Sequence, residues 1–158
     1  MTKAFFAVAA FGFLAIGAAN AADPMGTWIT TDGEARVRIS KCNGALCGSI
    51  IWLAKPIDAD TGKPQKDVLN SDTSKRSRPI IGVPVIISMQ REGEDSKWSG
   101  HVYNPKDGNT YRGSIELLDA TRLRVRGCVN VLCETEVWTR TSDSNASLRK
   151  GTQPARAR

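Results

Sequence analysis

The sequence predicts an all-β protein of about eight antiparallel strands, and three observations support this fold class. Short runs of alternating or β-branched residues recur along the body of the chain. Turn-forming stretches separate most of these runs, among them T-D-G at 31–33, N-G at 43–44 and D-G-N at 107–109. Between residues 25 and 141 no stretch keeps a helical period over three turns. Strands of this number joined by tight turns form either an up-and-down barrel or a sandwich.

The first 21 residues fit a secretory signal peptide rather than a part of this fold. Lys3 supplies a positive charge, residues 4–16 are apolar or small, and A-N-A at 19–21 fits the cleavage pattern. The apolar run is shorter than the ~20 residues that span a bilayer. We therefore expect a periplasmic or secreted protein whose residues 22–141 form a single β-barrel domain, with no transmembrane segment after cleavage.

The predicted strands follow in order, with one long interruption. They cover residues 27–30, 35–40, 49–54, 80–89, 97–103, 110–117, 122–127 and 135–141. The interruption, residues 55–79, is polar and contains three prolines, and a connection of this length is usually functional or disordered. Pro84 inside the fourth run indicates an edge, a bulge or a bend.

The chain ends in a basic segment, residues 142–158, that we expect to be disordered. This segment carries four basic residues and one acidic residue, although the formal net charge of the whole chain is +6. The charge of the body is nearly balanced, whereas nucleic-acid binding requires a basic face interleaved with stacking aromatic residues, so a nucleic-acid partner is not expected.

Two similar segments contain all four cysteines, with the same spacing in each. They read R-V-R-I-S-K-C-N-G-A-L-C-G-S-I-I-W at 36–52 and R-L-R-V-R-G-C-V-N-V-L-C-E-T-E-V-W at 122–138. Local disulfides, Cys42–Cys47 and Cys128–Cys133, fit a hairpin geometry and an oxidising compartment. Disulfides from one hairpin to the other, a four-cysteine zinc site and free thiols are the alternatives.

If each pair of cysteines faces across its hairpin, alternation assigns the remaining side chains to two faces. One face is apolar apart from the carboxylate of Glu136, and the opposite face carries arginines. The carboxylate is either a polar contact inside a cavity or a sign that a bulge shifts the register. The candidate barrel-lining residues are Val37, Ile39, Ile50, Trp52, Leu123, Val125, Glu136 and Trp138, with Trp98, Tyr103 and Tyr111 as additional candidates from the middle hairpin.

Five motifs in order resemble DUF2147, a family of uncharacterised exported bacterial proteins. They are G-T-W at 26–28, the first cysteine hairpin, S-R-P-I-I-G at 77–82, Y-N-P-K-D-G-N-T-Y at 103–111 and W-T-R at 138–140. The resemblance implies a lipocalin-like β-barrel. Lipocalins open with G-x-W and place an arginine over that tryptophan at the closed end, and Trp28 and Arg140 match this barrel-closing pair.

Two functions are consistent with such a barrel. The first is binding of a small hydrophobic or amphipathic ligand inside the barrel, with residues 55–79 over its mouth and Arg76 or Arg78 meeting an anionic headgroup. The second is a protein–protein interaction module of the cell envelope, an inhibitor or assembly factor with a filled barrel and no ligand.

Enzymatic activity is not expected from this sequence, and neither is a cofactor or a metal ion. His101 is the one histidine and falls within a predicted strand. Glu134 and Glu136 are expected on opposite faces of their strand, which argues against a carboxylate pair for acid–base catalysis.

Overall fold

A computed structural model describes residues 23–93 and 96–142, which fold into a closed barrel of eight antiparallel strands. The strands are β1 (Gly26–Ile29), β2 (Ala35–Cys42), β3 (Ala45–Leu53), β4 (Pro84–Arg91), β5 (Lys97–Asn104), β6 (Asn109–Leu117), β7 (Arg122–Val129) and β8 (Leu132–Thr141). The predicted fold class is confirmed. The expected signal peptide and, from residue 143 onward, the expected basic tail lie outside the described residues. None of the helical structure that is described has the length and apolarity of a membrane span.

Each strand pairs with its neighbours along the chain, and β8 pairs with β1 to close the cylinder. The up-and-down order places connections alternately at two ends. The mouth end carries the connections after β1, β3, β5 and β7, while the closed end carries those after β2, β4 and β6. The two cysteine hairpins therefore lie at opposite ends, with 43–44 at the closed end and 130–131 at the mouth.

Trp28 and Arg140 plug the closed end. Trp28 is fully buried, and its indole Nε1 donates to the carbonyl oxygen of Pro24 at 2.8 Å. The Arg140 guanidinium lies 4.2 Å from the centre of the Trp28 ring. Its nitrogens also donate to the carbonyl oxygens of Asp23, Met25 and Ala120, each at 2.6 Å. One side chain thus joins residues 23–25 to the β6–β7 turn and covers the tryptophan, as the lipocalin resemblance implies.

The closed half of the barrel is filled with large side chains, most of them less than a tenth exposed. Alternation along the strands brings one residue of every pair inward, so the apolar members meet at the barrel axis. The side chains that fill this half include Ile39, Leu46, Ile86, Met89, Trp98, Ile115, Leu117 and Leu123.

The first cysteine hairpin has a different register from the expected one. Cys42 pairs with Ala45, and Cys47 pairs with Ser40, so the turn consists of two residues rather than four. Those residues, Asn43 and Gly44, have φ of 45° and 79°, as a type I′ turn requires. The register moves by two residues, and an even shift leaves every side chain on its predicted face. The disulfide Cys42–Cys47 forms as predicted but runs diagonally across the ladder.

A β-bulge farther along this hairpin corrects the placement of Trp52. The register shifts between Arg36 and Val37, so Val37 pairs with Ile50 whereas Arg36 pairs with Trp52. A one-residue slip exchanges the two faces, and Leu53 takes the inward position in place of Trp52. The Trp52 ring instead lies 4.7 Å from the Arg36 guanidinium carbon.

The fourth strand starts later than predicted, at Pro84 rather than at residue 80. Proline has no N–H to donate to a ladder and is therefore favoured as the first residue of a strand. Residues 80–83 form a turn in which Val83 N donates to the carbonyl oxygen of Ile80.

Candidate functional site

The mouth half of the barrel contains a cavity of about 840 Å³. Ligand pockets usually start at roughly 300 Å³, so the space is sufficient for a drug-sized molecule. The part of its wall toward the closed end of the barrel is mainly apolar, whereas polar side chains lie nearer the rim at the mouth. The apolar wall includes Ala35, Val37, Ile50, Leu53, Ile80, Val85, Val102, Val125 and Trp138.

The structure brings together five of the eight candidate lining residues. Those that line the cavity are Val37, Ile50, Val125, Glu136 and Trp138. Ile39 and Leu123 point inward but belong to the packed core below the cavity. Of the additional candidates, Tyr103 and Tyr111 line the cavity, whereas Trp98 belongs to the core.

The second cysteine hairpin keeps the expected register, which places Glu136 inside the barrel. Cys128 pairs with Cys133, and Val125 pairs with Glu136, without a bulge. The predicted disulfide Cys128–Cys133 is present. The Glu136 carboxylate accepts a hydrogen bond of 2.6 Å from Trp138 Nε1, so this carboxylate is a polar contact at the cavity wall.

Glu134 is a cavity residue that the sequence analysis missed. The expectation that Glu134 and Glu136 face opposite sides is wrong, because residues two apart on a strand share a face. Both carboxylates line the cavity. Glu134 pairs with Gly127, which has no side chain, and the nearest side chain above Gly127 is that of Tyr111. The strand period alone would have identified Glu134.

A charged bridge crosses the rim of the cavity. Lys106, in the β5–β6 turn, donates to Asp32 Oδ2 at 2.8 Å and to Glu34 Oε2 at 2.7 Å, both in the β1–β2 turn. These turns lie on opposite sides of the barrel, because four strands separate them in either direction. The hydrogen bonds to Asp32 and Glu34 raise the pKa of Lys106 above its usual value. Lys106 is the one lysine of the β5–β6 turn, and these two carboxylates neutralise its charge.

A buried polar network joins the long β3–β4 connection to strand β5. Asp67 is fully buried in the connection, and its Oδ1 accepts a hydrogen bond from the Tyr103 hydroxyl. Asp67 Oδ2 accepts from Asn70 Nδ2 at 2.8 Å and from Arg78 Nε and Nη2 at 3.0 and 2.8 Å. The Asn70 amide also donates to the Tyr103 oxygen at 2.9 Å. Four donors thus satisfy one buried carboxylate.

The network perturbs the ionisation of both of its acidic members. Burial by itself would raise the pKa of Asp67, but the hydrogen bonds from Tyr103, Asn70 and Arg78 outweigh burial and hold that pKa below its usual value. Burial, together with the hydrogen bond to the Asp67 carboxylate, raises the pKa of Tyr103 to about 12. At neutral pH the network therefore contains a carboxylate and a neutral tyrosine.

The same connection forms part of the cavity wall. Val68 and Leu69 line the cavity and are also more than half exposed to solvent. Gly108 lies against the connection so closely that a Cβ atom there would be 1.7 Å from the carbonyl oxygen of Leu69. Ser71 N donates to the carbonyl oxygen of Gly108 at 3.1 Å. The connection is therefore fixed to the β5–β6 turn by backbone contact as well as by the network.

The structure corrects the expectation that Arg76 or Arg78 contacts the anionic headgroup of a ligand. The Arg78 guanidinium forms an ion pair with Asp67 and lies 5.8 Å from the centre of the Tyr103 ring. Arg76 Nε donates to the carbonyl oxygen of Asn70 at 2.7 Å. Neither arginine belongs to the cavity wall. Both side chains hold the connection in place.

Comparison with known proteins identifies the family. The family described as "Uncharacterized protein conserved in bacteria (DUF2147)" matches residues 26–140. The chain belongs to the DUF2147 family. The DUF2147 barrel is also similar to a solved structure described as protein HP1028 from the human pathogen Helicobacter pylori, which belongs to the lipocalin family. The TM-score is 0.65 at 24% identity, over 81% of this chain and 89% of that one. This likeness establishes a lipocalin-like fold for the DUF2147 chain. No curated protein matches the chain.

Proposed function

We propose that this DUF2147 protein is an exported binding protein that holds a small, largely apolar or amphipathic molecule in the mouth half of its barrel. The observation that carries the proposal is the 840 Å³ cavity, which has apolar side chains below and polar side chains at the rim. A barrel of eight strands either fills its interior with side chains or holds one ligand. In this barrel the closed half is filled and the mouth half is not.

Export is supported by the cysteines and by the start of the chain. Both cysteine pairs form disulfides, and bonds of this kind persist mainly in oxidising compartments. The signal-peptide pattern of residues 1–21 agrees with this assignment, with residues 22–141 as the exported domain and residues 142–158 as its tail. We place the protein in the periplasm or outside the cell.

A binding role is favoured over an enzymatic one by the composition of the cavity wall. His101 is exposed on β5 and does not line the cavity. The carboxylates Glu134 and Glu136 share a face, but most of the wall around and below them consists of side chains without nucleophilic or acid–base groups. The architecture is suited to retention of a ligand.

Native mass spectrometry of protein purified from its own host envelope tests the proposal. We expect a retained small molecule that is released on denaturation. The variant Val125→Phe places a ring in the cavity and should abolish retention. The matched control Val137→Phe adds the same ring to a partly exposed strand position outside the cavity wall and should retain the ligand. Apo protein from the host, together with equal behaviour of the two variants, would refute a binding role.

A second candidate function, docking to an envelope protein, is favoured by the tip of the β7–β8 hairpin. Val129, Val131 and Leu132 are 53%, 91% and 77% exposed beside the disulfide Cys128–Cys133. A rigid apolar tip lowers the entropic cost of association. The test is recovery of one stoichiometric partner from the envelope by the wild type and its loss in Val131→Asp. If both proteins recover the same set of partners, the tip is not a docking site.

A further inference from the structure

We propose that the ligand of this cavity carries a positively charged ammonium group, which is received by the β8 side of the cavity wall. The inference rests on the proposed binding function and adds the chemical class of the ligand: an apolar chain or ring system that ends in an amine. It reverses the headgroup charge that the sequence suggested.

Three cationic side chains at the mouth end, Arg76, Arg78 and Lys106, are already occupied. Arg78 is bound to the buried Asp67, and Arg76 is bound to the backbone of Asn70. Lys106 is shared between two carboxylates of the β1–β2 turn. An anionic headgroup that bound to any of these three would displace its contact and leave a carboxylate or a carbonyl without its donor.

The β6 and β8 sides of the wall present carboxylates with no cationic partner among the described residues. Within the described parts of the chain, the Glu136 carboxylate accepts one side-chain hydrogen bond, from the neutral indole N–H of Trp138. Asp107 accepts from the Tyr111 hydroxyl at 2.7 Å and from Asn104 Nδ2 at 3.0 Å, both of which are neutral donors. Glu134 stands near Tyr111, and its negative charge contributes to raising the pKa of that tyrosine, after the hydrogen bond to Asp107. This side of the cavity therefore has negative charge that a cationic ligand would neutralise.

Aromatic rings lie on the same side as these carboxylates. Tyr111, on β6, and Trp138, on β8, both line the cavity, as does Glu134 beside Tyr111. Carboxylates attract organic ammonium groups through charge, and the faces of tyrosine and tryptophan rings attract them through the ring quadrupole. The apolar wall below accepts the rest of the molecule.

The two remaining cavity lysines lie elsewhere on the rim. Lys55 and Lys66 belong to the β3–β4 connection, and half of the barrel separates that connection from the β7–β8 hairpin. The complete wall has five carboxylates and three lysines, of which the lysine in the β5–β6 turn is paired. The net charge of the wall is therefore negative, and the negative side is the one with the aromatic rings.

A matched series of ten-carbon probes tests the inference on the full-length mature protein. Decylamine, decanol and decanoate have the same chain and carry positive, neutral and negative headgroups at pH 7. Isothermal titration gives each affinity, with decylamine and decanoate kept below their micelle concentrations and decanol below its solubility limit. We expect decylamine to bind about tenfold more tightly than decanol and decanoate to bind most weakly. The double variant Glu134→Gln/Glu136→Gln should lower the decylamine affinity about tenfold and leave decanol unchanged.

The control is Lys55→Gln/Lys66→Gln, which removes charge from the opposite side of the rim and should not weaken decylamine binding. If decanol binds but decylamine has no advantage, or if Glu134→Gln/Glu136→Gln binds decylamine as the wild type does, the ammonium assignment is wrong and the binding function remains. If none of the three probes binds to the wild type, the proposed function itself fails.

Discussion

Replacement of Asp67 by asparagine tests whether the buried network fixes the long β3–β4 connection. The substitution preserves shape but removes the charge that Arg78 neutralises and one of the two carboxylate oxygens. Asp67 Oδ2 accepts three hydrogen bonds, two of them from Arg78. The NH2 group of an asparagine is itself a hydrogen-bond donor. It would face groups that now donate to Asp67, so the network cannot re-form unchanged.

The expected loss follows from the burial of the two partners. Removal of one member of a buried ion pair costs ~3–5 kcal/mol, because the other charge stays behind without a partner. Asp67 is fully buried, but the Arg78 side chain is 31% exposed, and water screens part of its charge. We therefore expect a decrease of about 3 kcal/mol in the free energy of unfolding, at the lower end of that range.

Urea unfolding followed by tryptophan fluorescence measures this loss. The matched control is Asp58→Asn in the same connection, where a partly exposed carboxylate accepts local hydrogen bonds, among them two from Thr61. The control should remain much closer to the wild type. If Asp67→Asn changes the free energy of unfolding by less than about 1 kcal/mol, the network does not hold the connection.

The pH dependence gives an independent check on the same residue. The folded-state pKa of Asp67 lies below its unfolded value, so its contribution is complete above the unfolded carboxyl pKa of ~3.9 and is lost as the pH falls through the folded value. The difference between wild type and Asp67→Asn should therefore narrow as the pH falls below 4. A constant difference down to pH 2 would contradict the ionic role of this carboxylate.

Three further substitutions have specific expected outcomes. Arg140→Ala should lower the free energy of unfolding by about 2 kcal/mol, since it removes three backbone hydrogen bonds and the cation over Trp28; equal urea midpoints would contradict the plug. Gly108→Ala should speed amide exchange in the long connection, because its methyl group would meet the Leu69 carbonyl and its φ is +75°; unchanged exchange would show that the contact yields freely. Tyr103→Phe should remove part of the loss of stability at alkaline pH. The pKa of Tyr103 is about 12 in the folded protein and 10 in the unfolded chain, so the tyrosine stabilises the fold below pH 10, and this stabilisation is lost as the pH rises to 12. If the free energies of unfolding of the wild type and the variant fall in parallel at alkaline pH, this ionisation does not contribute.

The fold was predictable because each hairpin carries its own local signals. Alternation gave the strands, Asn-Gly and Asp-Gly gave turns, and the paired cysteines tied the second hairpin to its correct register. In the first hairpin Asn43-Gly44 already indicated a two-residue turn. The assumption that Cys42 faces Cys47 overrode this signal, because a disulfide joins diagonal neighbours as well as opposed ones.

Part of the site depended on packing that no local pattern encodes. The bulge at Arg36 that turns Trp52 outward has no sequence marker, and it changes the cavity wall from that point to the rim. Asp67, Arg78 and Tyr103 are brought together only when the connection folds back on β5. A single strand pattern cannot distinguish an arginine that meets a ligand from one that meets a buried carboxylate.

The Lys106 bridge joins two turns on opposite sides of the cavity mouth. The rigidity of the mouth along the line between these turns therefore depends on ionic strength. Lys106 is 67% exposed, and its two acidic partners are also open to solvent, so dissolved ions compete for all three groups. The Debye length shortens from ~10 Å at 0.1 M salt to ~3 Å at 1 M, which weakens this tether, whereas the contact between Arg78 and the fully buried Asp67 is screened less. We therefore expect concentrated salt to let the two opposed turns move apart while the long connection keeps its place in the cavity wall. The aperture widens in one direction without opening in the other.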